Sequence, residues 1–116
     1  MKEADFRART KSFALAILRL YSQLPNKADV QIVGRQLVRA GTSIAANYRE
    51  ACRARSKAEF ISKIGQCEQE ADETMLWLEL LKEGCQLVST LLDELLIESN
   101  EIVSILVTMS KKAKRA

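Results

Sequence analysis

At 116 residues, 47% of them hydrophobic, with four glycines and one proline, the chain is long enough for one domain with a proper core and too apolar to be disordered. Aromatic residues make up only 5%, and Ala, Leu, Glu, Lys and Arg dominate, which favours helix over sheet. The formal net charge is +3 with no histidine at all, which excludes His-based triads, Cys-His nucleophiles and imidazole-ligated zinc, as well as the Glu-x-x-His pairs of di-iron bundles.

The first helix is expected over about residues 3–23, with Phe6, Phe13, Ile17, Leu20, Tyr21 and Leu24 on its apolar face and Arg7, Arg9, Lys11 and Arg19 in water. Glu3 and Asp5 suit the positive end of its dipole, and Pro25 stops it by withholding a backbone donor. The second helix is placed at about 28–53, with Asn26 or Asp29 as its cap. Its core stripe is Val33, Leu37, Ala40, Gly41, Ile44, Tyr48 and Ala51, bordered by Gln36, Ser43, Asn47 and Glu50. Gly41, with Ser43 and Asn47, suits a close helix approach with hydrogen bonds across it.

On the far side of this second helix stand Arg35, Arg39, Arg49 and Arg53, two i, i+4 pairs that repel by a few tenths of a kcal/mol each unless something neutralises them. Arg55 follows in the connector. Two readings stay open for this row. It is either a solvated face, or one paired with a neighbouring acidic helix, or it is a contact surface for an anion or a nucleic acid.

Ser56-Lys57-Ala58-Glu59 has the spacing of a capping box, followed at once by Phe60, Ile61 and Ile64. The third helix is expected to bury Phe60, Ile64, Cys67, Ala71, Met75 and Leu78, and to end at Gly84 in a left-handed conformation. Glu70 and Glu73 share a flank with Trp77, where they could pair with arginines. Ser89 or Thr90 caps the last helix, whose inner face takes Val88, Leu91, Leu92, Leu95, Ile102, Leu106 and Met109. Four such helices with short connectors predict an all-α, antiparallel up-down-up-down four-helix bundle filling residues 1–116 as one domain.

Two further expectations concern partners. Met75 to Leu81 leave almost no polar face, and Leu96, Val103 and Val107 make a second apolar row on the fourth helix. Leu76, Trp77, Leu80, Leu96, Val103 and Val107 are therefore the expected interface of a homo-oligomer. Charge is also uneven along the chain: residues 1–24 carry net +3, 25–55 net +4, 56–86 net −4, and the last stretch balances, with its basic groups in the tail KKAKR.

No catalytic set, metal-ligand group or phosphate loop is apparent, so neither an enzyme nor a cofactor is expected. A weaker alternative is a ligand pocket lined by Tyr48 and Trp77. Cys52, Cys67 and Cys85 make an odd count without a CxxC pair, and the first two sit on or near apolar stripes, so buried thiols rather than a disulfide framework are expected. Without a leader or a run of about 18 apolar residues, a soluble cytoplasmic chain with no membrane partner is anticipated.

Around Arg39-Ala40-x-x-Ser43-Ile44-x-x-Asn47, followed by Glu50, Arg53, Ser56 and Phe60 and extending through EADETMLWLELL, the chain resembles a bacterial family of four-helix bundle proteins. These are the 23S rRNA intervening-sequence proteins, a family that includes the accessory variability proteins of diversity-generating retroelements. The resemblance implies an antiparallel bundle that assembles, in several members as a barrel-like homopentamer. It also implies association with nucleic acid, RNA or DNA, or with a reverse transcriptase. Ser43, Asn47 and Glu50, beside Arg39, match the motif as packing and polar-network residues. The basic positions Arg35, Arg39, Arg49, Arg53 and Arg55 are the candidate nucleic-acid contacts. Where many members have Ala-Glu-Gly this chain has Arg49-Glu50-Ala51, so the tight glycine exit is absent and the second helix is expected to run on. The competing function is a protein–protein adaptor with no nucleic-acid role.

Overall fold

A computed structural model describes residues 2–115. It contains α1 (Glu3–Ser22), α2 (Ala28–Cys52), α3 (Lys57–Glu79, continued by a wider π-turn at Leu80–Gly84) and α4 (Thr90–Arg115). The fold is an all-α four-helix bundle, 46 Å long and 21 by 20 Å across.

Side-chain pairings give the helix directions. The Phe6 ring meets Tyr48 edge-on with centroids 4.8 Å apart, while Tyr21 Oη donates to Gln31 Oε1 at 3.0 Å, so α1 and α2 run oppositely. Arg39 meets Glu70 and Glu73, and Lys63 meets Glu50, which turns α3 back along α2. Lys82 pairs with Asp93 where α3 hands over to α4. The ring closes at α1–α4: Arg9 Nε and Nη2 donate to the two carboxylate oxygens of Glu98, both at 2.7 Å, and Nη2 also reaches Glu101 at 2.6 Å. Arg9, expected in water, is thus half-buried in a clasp between the first and last helices.

The core holds Phe6, Phe13, Ile17 and Leu20 of α1, Leu37, Ile44 and Tyr48 of α2, Ile64, Cys67 and Leu78 of α3, and Leu92, Ile102 and Leu106 of α4. Between these large side chains sit four small hydroxyl residues, Thr10, Thr74, Ser99 and Ser110. Three of them donate to a carbonyl of the preceding turn, Thr10 to Arg7 O, Thr74 to Glu70 O and Ser99 to Leu96 O, so their hydroxyls enter the core already satisfied. Thr74, rather than Met75, completes the inner row of α3; Phe60 and Met75 are only half-buried.

Two glycines are pressed against α1. A Cβ on Gly41 would lie 2.9 Å from Ile17 Cγ1, and one on Gly34 would lie 2.8 Å from Leu24 Cδ1. The close approach expected at Gly41 is present, but the hydrogen bonds across it are not. Ser43 Oγ turns back to Arg39 O of its own helix at 2.6 Å.

The helix ends depart from expectation in three places. α2 starts after Lys27, which makes no side-chain cap; Asp29 lies inside the first turn, accepting from the Val30 amide, and complements the dipole there. The capping box at α3 is one residue wider than expected: Ser56 Oγ accepts from Glu59 N at 3.0 Å, while Glu59 Oε2 accepts from the Arg55 amide rather than that of Ser56. At the end of α3, Gly84 is not left-handed. The π-turn carries the chain one residue further round, with Cys85 N–H donating to Leu80 O and Leu87 N–H to Leu81 O. The left-handed position falls on Gln86, at φ 56°. That extra residue puts Val88 on an extended connector, where it is 97% exposed instead of facing the core. Ser89 caps α4, its Oγ accepting from Leu92 N at 3.1 Å.

Candidate nucleic-acid interface

The outward side of α2 carries Arg35, Arg39, Arg49 and Arg53, all exposed, with Arg55 exposed in the connector beyond. The structure does not keep them as one row. Arg39 is neutralised by α3: its two terminal nitrogens lie 3.4 Å from Glu70 and 3.5 Å from Glu73, and its Nε is 3.4 Å from Gln36 Oε1. This is the pairing with a neighbouring acidic helix that the sequence left open. Arg35 stands one turn away from Arg39, level with Tyr21 and Leu24 near the far end of α1, since those two side chains pack against the adjacent Gly34.

Arg49, Arg53 and Arg55 lie at the opposite end. Among the described residues none of their guanidinium groups has a carboxylate within 4 Å. α2 runs on to Cys52 and closes with Arg53 N–H donating to Glu50 O and Ala54 N–H to Ala51 O, so Arg53 is fixed at the end of a helix and Arg55 on the two-residue bridge to the Ser56 cap. The tail of α4 ends at the same place: Met109, Lys112 and Ala113 share a shallow concavity with Glu3, Tyr48 and Phe60. The sequence shows the KKAKR segment as a basic tail but does not join it to Arg49, Arg53 and Arg55, because only the antiparallel packing brings residues 56 to 66 positions apart to one end.

Ser43, Asn47 and Glu50 do not hydrogen-bond to one another. Ser43 bonds its own helix, and Glu50 pairs with Lys63 at 3.3 Å. They border the α2–α3 seam, where Cys67 Sγ donates to Ile44 O at 3.8 Å.

Of the side chains expected to cover an oligomer contact, Leu76 and Leu80 are 45% and 38% exposed on α3. Trp77, Leu96 and Val103 are half-buried and pack against the core of their own chain, and Val107 is half-buried beside them. Ile97, which sequence reasoning passed over, is 66% exposed on the outward face of α4. Trp77 Nε1 is buried with no acceptor.

Tyr48 and Trp77 do not share a pocket. Tyr48 is buried against Phe6 at the α1 N-terminal end, and Trp77 lies two residues before the end of α3, towards the other end. Burial pushes the Tyr48 hydroxyl well above the ordinary tyrosine range and the Cys67 thiol up to about 12, so neither is a ready nucleophile. Cys52 and Cys85 are half-buried and also raised, chiefly by burial; all three thiols are free. No group of three His, Cys, Asp or Glu side chains among the described residues is placed to hold a metal ion. No described helix is long and apolar enough to cross a membrane.

A family model described as 23S rRNA-intervening sequence protein matches residues 2–108. The fold is similar to a crystal structure of a protein of unknown function from the S23 ribosomal protein family of Bacteroides thetaiotaomicron VPI-5482. The TM-score is 0.82 at 36% identity, over 90% of this chain and 97% of that one. A search of curated proteins gives no match.

Proposed function

The chain belongs to the 23S rRNA-intervening sequence protein family, and from that premise we propose that it is a non-enzymatic, homo-oligomeric helical scaffold that binds nucleic acid through a basic surface. On this reading it engages RNA or DNA, or an enzyme working on them such as a reverse transcriptase. The observation that carries the reading is the set of exposed guanidinium groups at one end of the bundle, Arg49, Arg53 and Arg55, which have no carboxylate within 4 Å, whereas Arg7, Arg9, Arg39, Lys63 and Lys82 are paired. An unpaired cation on a rigid helix end loses little by meeting a phosphate and releases counterions when it does. The ribosomal-RNA wording of the family description and the S23 ribosomal wording of the similar structure point the same way. No catalytic family is indicated by either. The exposed Leu76 and Leu80 of α3 and Ile97 of α4 favour assembly, since exposed apolar side chains gain by being covered.

A filter-binding titration against RNA and DNA at rising salt tests it. Binding at low salt whose logarithm falls linearly with the logarithm of salt concentration supports phosphate contact; no binding even at low salt refutes it. The adaptor reading makes a different forecast: a single protein recovered from lysate in an amount that nuclease does not change.

A further inference from the structure

Because the helices alternate in direction, the charge tallies of the four segments are redistributed along the bundle. Residues 2–12, 44–68 and 98–115 occupy one half of the 46 Å length, Arg9 standing level with Glu98 and Glu101. That half carries thirteen basic and seven acidic side chains, against five and eight in the rest of the chain. The protein is therefore polarised lengthwise, one half strongly positive and the other negative, which its modest net charge conceals.

Helix dipoles do not create this field. Two N-termini (α1, α3) and two C-termini (α2, α4) meet at the basic end, and their half-charges of opposite sign offset one another. The side chains do. Within the end itself, Glu3 is 3.9 Å from Arg7, Glu59 receives the Arg55 backbone amide, and Glu50 is taken by Lys63. The side-chain charges of Arg49, Arg53, Arg55, Lys111, Lys112 and Lys114 meet no carboxylate among the described residues. Aromatic rings at this end are turned inward: Phe6 and Tyr48 are buried and Phe60 half-buried, so no platform for stacking bases is presented. Cations without stacking rings read phosphate and not sequence.

Resting on the nucleic-acid reading above, we propose that the phosphate backbone is held end-on, by the cap that these six residues form where two helix starts meet two helix ends, and not along the outer face of α2. Arg39 contributes little because Glu70 and Glu73 already satisfy it, and Arg35 lies towards the negative half. An end about 20 Å across spans roughly six base-pair steps of a duplex. The acidic half, repelled by the same polyanion, faces away and sets the orientation.

Equal charge changes at the two places separate the alternatives. Arg53→Glu with Lys112→Glu alters the cap, and Arg19→Glu with Arg35→Glu alters the other half. All four side chains are exposed and none is in an ion pair, so the fold is retained, which far-ultraviolet circular dichroism verifies. Fluorescence anisotropy with a 20-base-pair RNA duplex, the matching DNA duplex and one single strand reads the affinity. The cap pair is expected to weaken duplex binding at least tenfold and to flatten the salt dependence by roughly two in log–log slope. The other pair should stay within about threefold of wild type. Equal losses from both pairs, or no loss from the cap pair, overturn the end-on placement while leaving the broader reading intact. Wild-type protein that binds none of the probes overturns both. Poly-glutamate competing as well as the duplex at equal charge would assign the cap to an acidic protein and overturn the proposal.

Discussion

Glycine-to-alanine changes in the two middle helices should have opposite signs, and the structure supplies the reason. In a helix interior alanine is favoured over glycine by roughly 0.8–1.0 kcal/mol. At Gly65 on α3 an added Cβ meets nothing within 4 Å, so Gly65→Ala should realise most of that gain, about +0.8 kcal/mol. At Gly41 the same Cβ would sit 2.9 Å from Ile17 Cγ1, 3.2 Å from Cγ2 and 3.4 Å from Cδ1. Ile17 is fully buried and β-branched, so its contacting atoms are held near the backbone and cannot swing aside. Overpacking of this kind costs about 1–3 kcal/mol, which exceeds the propensity gain and leaves Gly41→Ala destabilised by about 1 kcal/mol. Gly34 lies between the two cases. Its nearest obstacle is the tip of the half-buried Leu24, a flexible end that can move, although the Tyr21 ring is also only 3.0 Å away. Urea denaturation of the three variants at one fixed protein concentration gives the ordering, since assembly would otherwise shift the midpoint. If Gly41→Ala raised the midpoint as much as Gly65→Ala, the close α1–α2 approach would be refuted.

Other expectations follow from single contacts. Gln86→Gly should raise stability by about 1 kcal/mol, because a left-handed backbone costs a side-chain-bearing residue about that much; an unchanged urea midpoint would deny the left-handed turn. Hydrogen bonding to Arg9 lowers the Glu98 pKa against an opposing effect of burial, so its contribution is present above the ordinary glutamate range and is lost as pH falls through the depressed value. Glu98→Gln should therefore remove part of the acid sensitivity of unfolding and cost about 1 kcal/mol at neutral pH. Cys52 and Cys85 should react with a thiol reagent in the native protein while Cys67, fully buried and with its pKa pushed up to about 12, waits for unfolding; equal rates for all three would contradict the packing. Leu76→Glu with Leu80→Glu should reduce the mass measured by light scattering if these leucines cover a subunit contact, and a wild-type mass of one chain would remove oligomerisation from the proposal.

Much of the fold could be read in advance, because its determinants are local. Pro25 ends the first helix, Ser56 and Glu59 start the third, and the Leu37–Ala51 stripe needs no knowledge of its neighbours. What escaped depended on distant partners. Arg9 reads as a surface cation until α4 brings Glu98 and Glu101 beside it from some ninety positions away. Thr74 and Ser99 are absent from the expected core, because hydropathy does not register that each donates to its own preceding turn. Gly84 is the natural left-handed stop, and a π-turn of one extra residue moved that role to Gln86 and cast Val88 into solvent. The basic surface was half legible. The arginines were visible in sequence, but adding charge helix by helix mixes the two ends of an antiparallel bundle and hides the lengthwise polarity.

The most direct test of where a polyanion lands is backbone amide NMR of the labelled protein during titration with a short RNA duplex at low salt. Shifts confined to residues 2–7, 49–59 and 109–115, reversed by added salt, are the predicted result. Shifts centred on Leu76, Leu80 and Ile97, or none at all at saturating duplex, would contradict the account.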